Sequence, residues 1–138
     1  MKNFNKIFGI AIVVVAIMFS IVGCKMDNDD NELLNGVWDR GDIVVTFNNS
    51  TAVFSQINSD SGWIKVQNNG SIRIGDQKFR NITKKGDLTW TGQERTYDQD
   101  TYLVKGWEDS TITMDSSGKT LQVYTPNITN PYTTYTKK

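Results

Sequence analysis

The residue types able to do chemistry are few in this chain, and the missing ones matter as much as those present. Its 138 residues include no histidine and one cysteine, Cys24. The commonest general base, metal ligand and pH switch is therefore absent, and no disulfide can form within the chain. A Ser or Thr nucleophile would need Lys as its base, and no Ser-x-x-Lys sits on a plausible helix. Glu94, Asp98 and Asp100 fall in the polar stretch 93–101. Paired carboxylates can cleave glycosides, but they need a cleft and one raised pKa, and a solvated loop is the expectation here. Asp27, Asp29 and Asn31 have the spacing that opens a calcium loop, yet Glu32 stands where that loop needs Gly and Trp38 where it needs its last carboxylate. The sequence thus predicts neither catalytic residues nor a metal site, and no enzyme activity.

Cys24 has a different chemistry in prospect. Lys2 and Lys6 make a short cationic start, residues 7–19 are uncharged and rich in Ile, Val, Ala and Phe, and Gly23 is a small exit residue. That order describes a secretory signal. Ordinary signal cleavage wants small side chains at the third and first positions before the cut, and Ile21 is large and branched. Ile21-Val22-Gly23-Cys24 instead resembles the lipobox of bacterial lipoproteins. The resemblance implies a diacylglycerol on the Cys24 thiol and an acyl chain on its amino group after cleavage, palmitate-like chains that make the bilayer the protein's first partner. Each buried methylene contributes about 0.8 kcal/mol, one chain is marginal, and two make a stable anchor. The rival is an uncleaved span over 7–23, at the lower limit of about 17 residues; in both cases the domain ends up outside. Lys25 resembles the residue that lets such lipoproteins pass to the outer membrane of a two-membrane cell, so the predicted location is the cell envelope, lipid-anchored, with the outer membrane favoured over the inner.

Removing Lys2 and Lys6 leaves 13 basic against 15 acidic residues, a net charge of −2. So near-neutral a chain has no large basic face for nucleic acid or anionic lipid. Residues 24–34 are polar and mostly acidic, and read as a disordered acylated tether behind the signal peptide 1–23. From residue 35 to 138, apolar–polar alternation and turn residues recur at close spacing. Residues 43–47, 51–57, 63–67, 71–74, 78–83, 88–92, 102–107, 111–114, 120–125 and 132–136 are strand candidates. Asn69-Gly70 is a hairpin signal, residues 108–109 read as a turn, and 125–131, with both prolines, as a rigid crossing. The expected fold is all-β: a small antiparallel up-and-down barrel of about eight to ten strands, closed to remove its edges.

Leu34-Asn35-Gly36-Val37-Trp38 looks like the Gly-x-Trp opening of lipocalins. Gly41-Asp42 with residues 43–47, and residues 132–137, resemble the second and closing strands of short bacterial lipocalin-like lipoprotein domains. The resemblance implies a binding barrel at residues 35–138. It also implies an Arg over the first Trp, but no Arg follows Arg95, so closure should differ. Trp38, Trp63, Trp90 and Trp107 fall one to a strand candidate; they would line a pocket for a small apolar ligand or fill the core, and core filling is favoured for most. Arg40-Gly41-Asp42 is an integrin-type tripeptide in a turn and a candidate contact for an extracellular protein, although Gly-Asp is ordinary turn chemistry. The leading expectation is a small-ligand-binding lipoprotein; the alternative is a protein-interaction barrel, a hydrolase inhibitor or adhesin, with a filled core.

Overall fold

Short runs with an apolar side chain at every second position can bury that face only by pairing with one another. In the computed structural model, which describes residues 31–138, they pair as β1 (Gly36–Asp39), β2 (Ile43–Asn48), β3 (Thr51–Ile57), β4 (Gln77–Gly86), β5 (Thr89–Tyr97), β6 (Val104–Met114), β7 (Thr120–Tyr124) and β8 (Tyr132–Lys137). Every strand is antiparallel to its sequence neighbour, and β8 returns to β1 through Trp38 opposite Lys137 and Asp39 opposite Thr136. The result is one closed eight-stranded up-and-down barrel. Cys24 and the segment 1–30 lie outside the described residues.

Inward side chains fill most of the barrel. Trp38, Phe47, Phe54, Phe79, Trp90 and Tyr135 are fully buried, with Phe47 stacked on Phe79 at 5.5 Å and Tyr135 edge-on to Phe79 at 6.1 Å. A barrel of eight strands is just wide enough to be filled in this way.

One end is plugged. A 3₁₀ turn at Glu32–Leu34 buries Leu34 completely, and the Trp38 indole N–H donates to the Leu34 carbonyl at 2.8 Å. Asn31 Nδ2 donates to the Ile82 carbonyl at 3.1 Å. Residues 31–34, read from sequence as the end of the tether, therefore belong to the barrel. Burying a leucine contributes about 1.5–3 kcal/mol, and a buried indole N–H needs an acceptor; the polar residues around Leu34 mask both. The cation over Trp38 is Lys137, 5.3 Å from the ring.

Four other sequence expectations are corrected. Residues 63–67 are not a strand but the heart of a helix, α1 (Gly62–Asn68), with Trp63 and Val66 buried one turn apart. The Ser61 side chain caps its start by accepting from the Trp63 N–H at 3.0 Å. Asn69-Gly70 is its end rather than a hairpin: the Ser71 N–H donates to the Val66 carbonyl and that of Gly70 to Gln67, a Schellman closure. Gly70 has φ +83°, and a left-handed glycine serves either structure. Residues 71–74 form no strand, and residues 108–109 lie within the continuous strand β6 rather than in a turn. Seven of the eight strands come from the ten candidates, two of which merge in β6, and the eighth is β1, which carries the Gly-x-Trp motif.

Candidate functional site

The turn at residues 40–42, the α1 connection 58–76, the turn 98–103 and the crossing 125–131 all lie at the end opposite Leu34, because strands of an up-and-down barrel alternate in direction. Together they frame a cavity of about 740 Å³ whose lining is mainly polar.

Its floor is a buried ion network. Lys78 and Glu94 are each 1% exposed. The Lys78 ammonium donates to Glu94 Oε1 at 2.6 Å and to the Arg95 carbonyl at 2.7 Å, and stands 4.5 Å from the Trp63 ring centre. The Thr125 hydroxyl donates to Glu94 Oε2 at 2.5 Å. Beside them, Arg40 Nε and Nη2 donate in parallel to the two Asp42 oxygens at 2.6 Å each, the bidentate geometry that makes an ion pair strong. Tyr135 lies below, its ring 5.8 Å from the Arg40 guanidinium and its hydroxyl without a hydrogen bond of normal geometry.

Burial sets the protonation of these groups. Desolvation pushes Lys78 down to about 8 against the pull of Glu94. Burial alone would raise Glu94, but the charge and hydrogen bond of Lys78, with that of Thr125, outweigh it and hold the carboxyl below its usual range. Asp42 is likewise held low, because the hydrogen bond and charge of Arg40 outweigh desolvation. Tyr135 is pushed up by burial.

A lysine whose folded pKa is about 8 rather than 10.5 gives up its proton first in the folded state, so stability rises with pH through that interval. Tyr135 does the reverse above its ordinary value of 10.0, where the unfolded chain ionises first. Glu94 and Asp42 make stability fall as acid titrates them below their ordinary values of 4.5 and 3.8. Thermal unfolding of the full chain should therefore show Tm rising from about pH 8 to about pH 10 and falling beyond it. The rise should vanish in Lys78→Met; a wild-type Tm that is flat or falling across this window would overturn the assignment.

The four tryptophans are not gathered around the cavity. Trp38 and Trp90 are wholly in the core. Trp107 is half-buried on the outer wall, with Arg80 at 4.1 Å and Arg95 at 4.9 Å over its ring. Only Trp63 reaches the cavity, packed edge-on against Tyr97 at 4.6 Å. The Tyr97 hydroxyl occupies the space a Cβ on Gly62 would need, so glycine lets α1 seat over the barrel mouth.

Arg40, Gly41 and Asp42 do sit in the β1–β2 turn, where the Arg40 N–H donates to the Ile43 carbonyl at 2.9 Å. The two charges bind each other, and the Arg40 side chain is only 15% exposed, so the tripeptide is part of the cavity wall. Glu94 is the larger correction: it is not in a solvated loop but on β5, facing inward. Asp98 does lie in an exposed turn, accepting from the Asp100 and Thr101 N–H groups at 2.9 Å. Lys78, Thr125 and Tyr135 were not singled out by sequence. Among the described residues, no group of three or more Cys, Asp or Glu side chains is placed to hold a metal ion.

Comparison with protein-family models, curated proteins and solved structures finds no match, so the geometry of the site carries the functional reading.

Proposed function

We propose that the chain is an exported lipoprotein, anchored to the bilayer through acylated Cys24, whose lipocalin-like barrel binds a small ligand in the cavity at its open end. The observation that carries this reading is the cavity of about 740 Å³, within the roughly 300–1,000 Å³ that small-molecule sites occupy. It opens at the end of the barrel opposite Leu34. The lining revises the ligand from apolar to polar. An apolar guest would strip water from Arg40, Asp42, Asp98 and Lys105 without returning hydrogen bonds, at a cost of about 1–3 kcal/mol for each group.

A protein-interaction barrel is the second reading. It is favoured by Ile74 and Leu103 on connections and Tyr132 at the start of β8, which are 50%, 53% and 62% exposed at the same open end. Native mass spectrometry of the acylated protein, after exposure to a small-molecule extract of bacterial envelopes, separates the two. A non-covalent adduct shed on gentle activation is expected. A protein that carries only its covalent lipid would sink the small-ligand reading and leave the rim as the working surface.

A further inference from the structure

Resting on that reading of the cavity, the geometry points to a neutral, polyhydroxylated ligand, a short saccharide, stacked on Tyr132 and hydrogen-bonded by the 125–131 crossing.

Charge comes first. The four cations of the cavity wall, Arg40, Lys78, Arg95 and Lys105, are matched in number by four carboxylates, Asp42, Glu94, Asp98 and Asp100. Arg40 is paired with Asp42 and Lys78 with Glu94. Arg95 stands 3.9 Å from Asp76, and Lys105 shares the wall with Asp98 and Asp100. At the floor an anionic guest would have to displace a carboxylate, and a cationic guest a cation, from a bidentate or buried partner, and the wall as a whole offers no net charge to either. A ligand without net charge meets neither penalty.

Hydrogen-bonding capacity comes next. Asn127, Thr129 and Asn130 are exposed on the crossing and line the cavity, offering amides and a hydroxyl that both donate and accept. Thr133 lines it too, and its Oγ1 is a buried atom without a partner. Hydroxyls on the guest are the groups that satisfy such a mixed set from either side.

The third requirement is an apolar face. Tyr132 is 62% exposed and lines the cavity, and its ring lies 4.8 Å from that of Tyr124, its partner across β7 and β8. The weakly positive C–H face of a sugar ring packs on the negative face of such an aromatic ring. A fatty acid would use the ring but not the amides; an inorganic anion would use neither.

Calorimetric titration of the full acylated chain in phosphatidylcholine nanodiscs tests this, with a neutral disaccharide panel (plain and N-acetylated), a uronic-acid disaccharide and oleate as probes. At least one neutral disaccharide should bind saturably, with a Kd that moves less than about twofold between about 50 and 500 mM salt, since no net charge is exchanged. Tyr132→Ala should weaken it about tenfold, whereas Leu103→Ala, on the rim but outside the lining, should leave it unchanged. An unchanged Kd in Tyr132→Ala would overturn the placement. Binding of the uronate or of oleate without any neutral sugar would overturn the ligand class while leaving the cavity as a binding site. Silence from every probe would overturn both.

Discussion

Replacing Cys24 by Ser is expected to reduce incorporation of labelled palmitate to background. The lipobox resemblance makes the thiol the sole acceptor of the diacylglycerol, and the chain has no second cysteine. The consequence for location depends on the cut. Without the lipid the lipoprotein peptidase has no substrate, and Ile21 spoils the site for the ordinary one. The single variant should therefore run as an uncut precursor held by residues 7–23. Ile21→Ala with Cys24→Ser restores small residues at the third and first positions before the cut, with Gly23 already in place. That double variant should be cleaved and released into the soluble fraction. The released domain has no basic patch to hold it, with a mature net charge of −2, and two lost acyl chains at about 0.8 kcal/mol per methylene are beyond what any surface contact replaces. Palmitate label persisting in Cys24→Ser, or a double variant that is cleaved yet stays with the membrane, would sink the acyl-anchor assignment.

The barrel walls were legible in the sequence where the pattern was pure. Residues 43–47 and 51–57, joined by Asn48-Asn49-Ser50, fold as β2 and β3 around that turn, because alternation and turn chemistry act locally. The helix was not legible because Trp63-Ile64-Lys65-Val66-Gln67 fits both periods: Trp63 and Val66 share a helical face, while Trp63, Lys65 and Gln67 share a strand face. Only the Ser61 cap and the left-handed Gly70, both ambiguous on their own, separate the two.

Glu94 illustrates the other failure. Its neighbours are polar, so composition assigned it to a loop. Yet Trp90, Gly92, Glu94 and Thr96 keep one period-two phase, and all four are buried along β5. The phase was the available signal, and the charge obscured it. Nothing local could announce Lys78. It is buried because β4 is irregularly registered against β3 near Val53, which leaves Lys78 and Phe79 both inside. The cavity is a product of closure, assembled from connections distant in sequence, and so falls outside what alternation can encode.

Removing one member of the floor pair should be the most damaging change to the domain. Glu94→Ala leaves the Lys78 ammonium buried without its carboxylate and frees the Thr125 hydroxyl, at a cost of about 3–5 kcal/mol. For a domain of this size that lowers Tm by on the order of 15 °C at neutral pH. The loss should shrink as pH rises toward about 8 and level off above it. Without the charge and hydrogen bond of Glu94, which raise the Lys78 pKa, the ammonium discards its proton below the value of about 8 that it has in the intact pair. A neutral amine is far less costly to bury. Replacing both partners, Lys78→Met with Glu94→Leu, should recover most of the stability, since well-packed apolar substitutes for a buried pair are often neutral or favourable. A double variant as unstable as Glu94→Ala would mean that the pair holds the barrel together in a way apolar packing cannot replace. The expected recovery has a functional corollary. A pair that stability does not require, placed at 1% exposure on the floor of the cavity, is explained by what it presents upward. It fixes Thr125 at the start of the crossing that carries Asn127 and Asn130, and it keeps the floor polar without net charge. The stable double variant should thus lose the neutral ligand, by calorimetry, although its barrel remains intact.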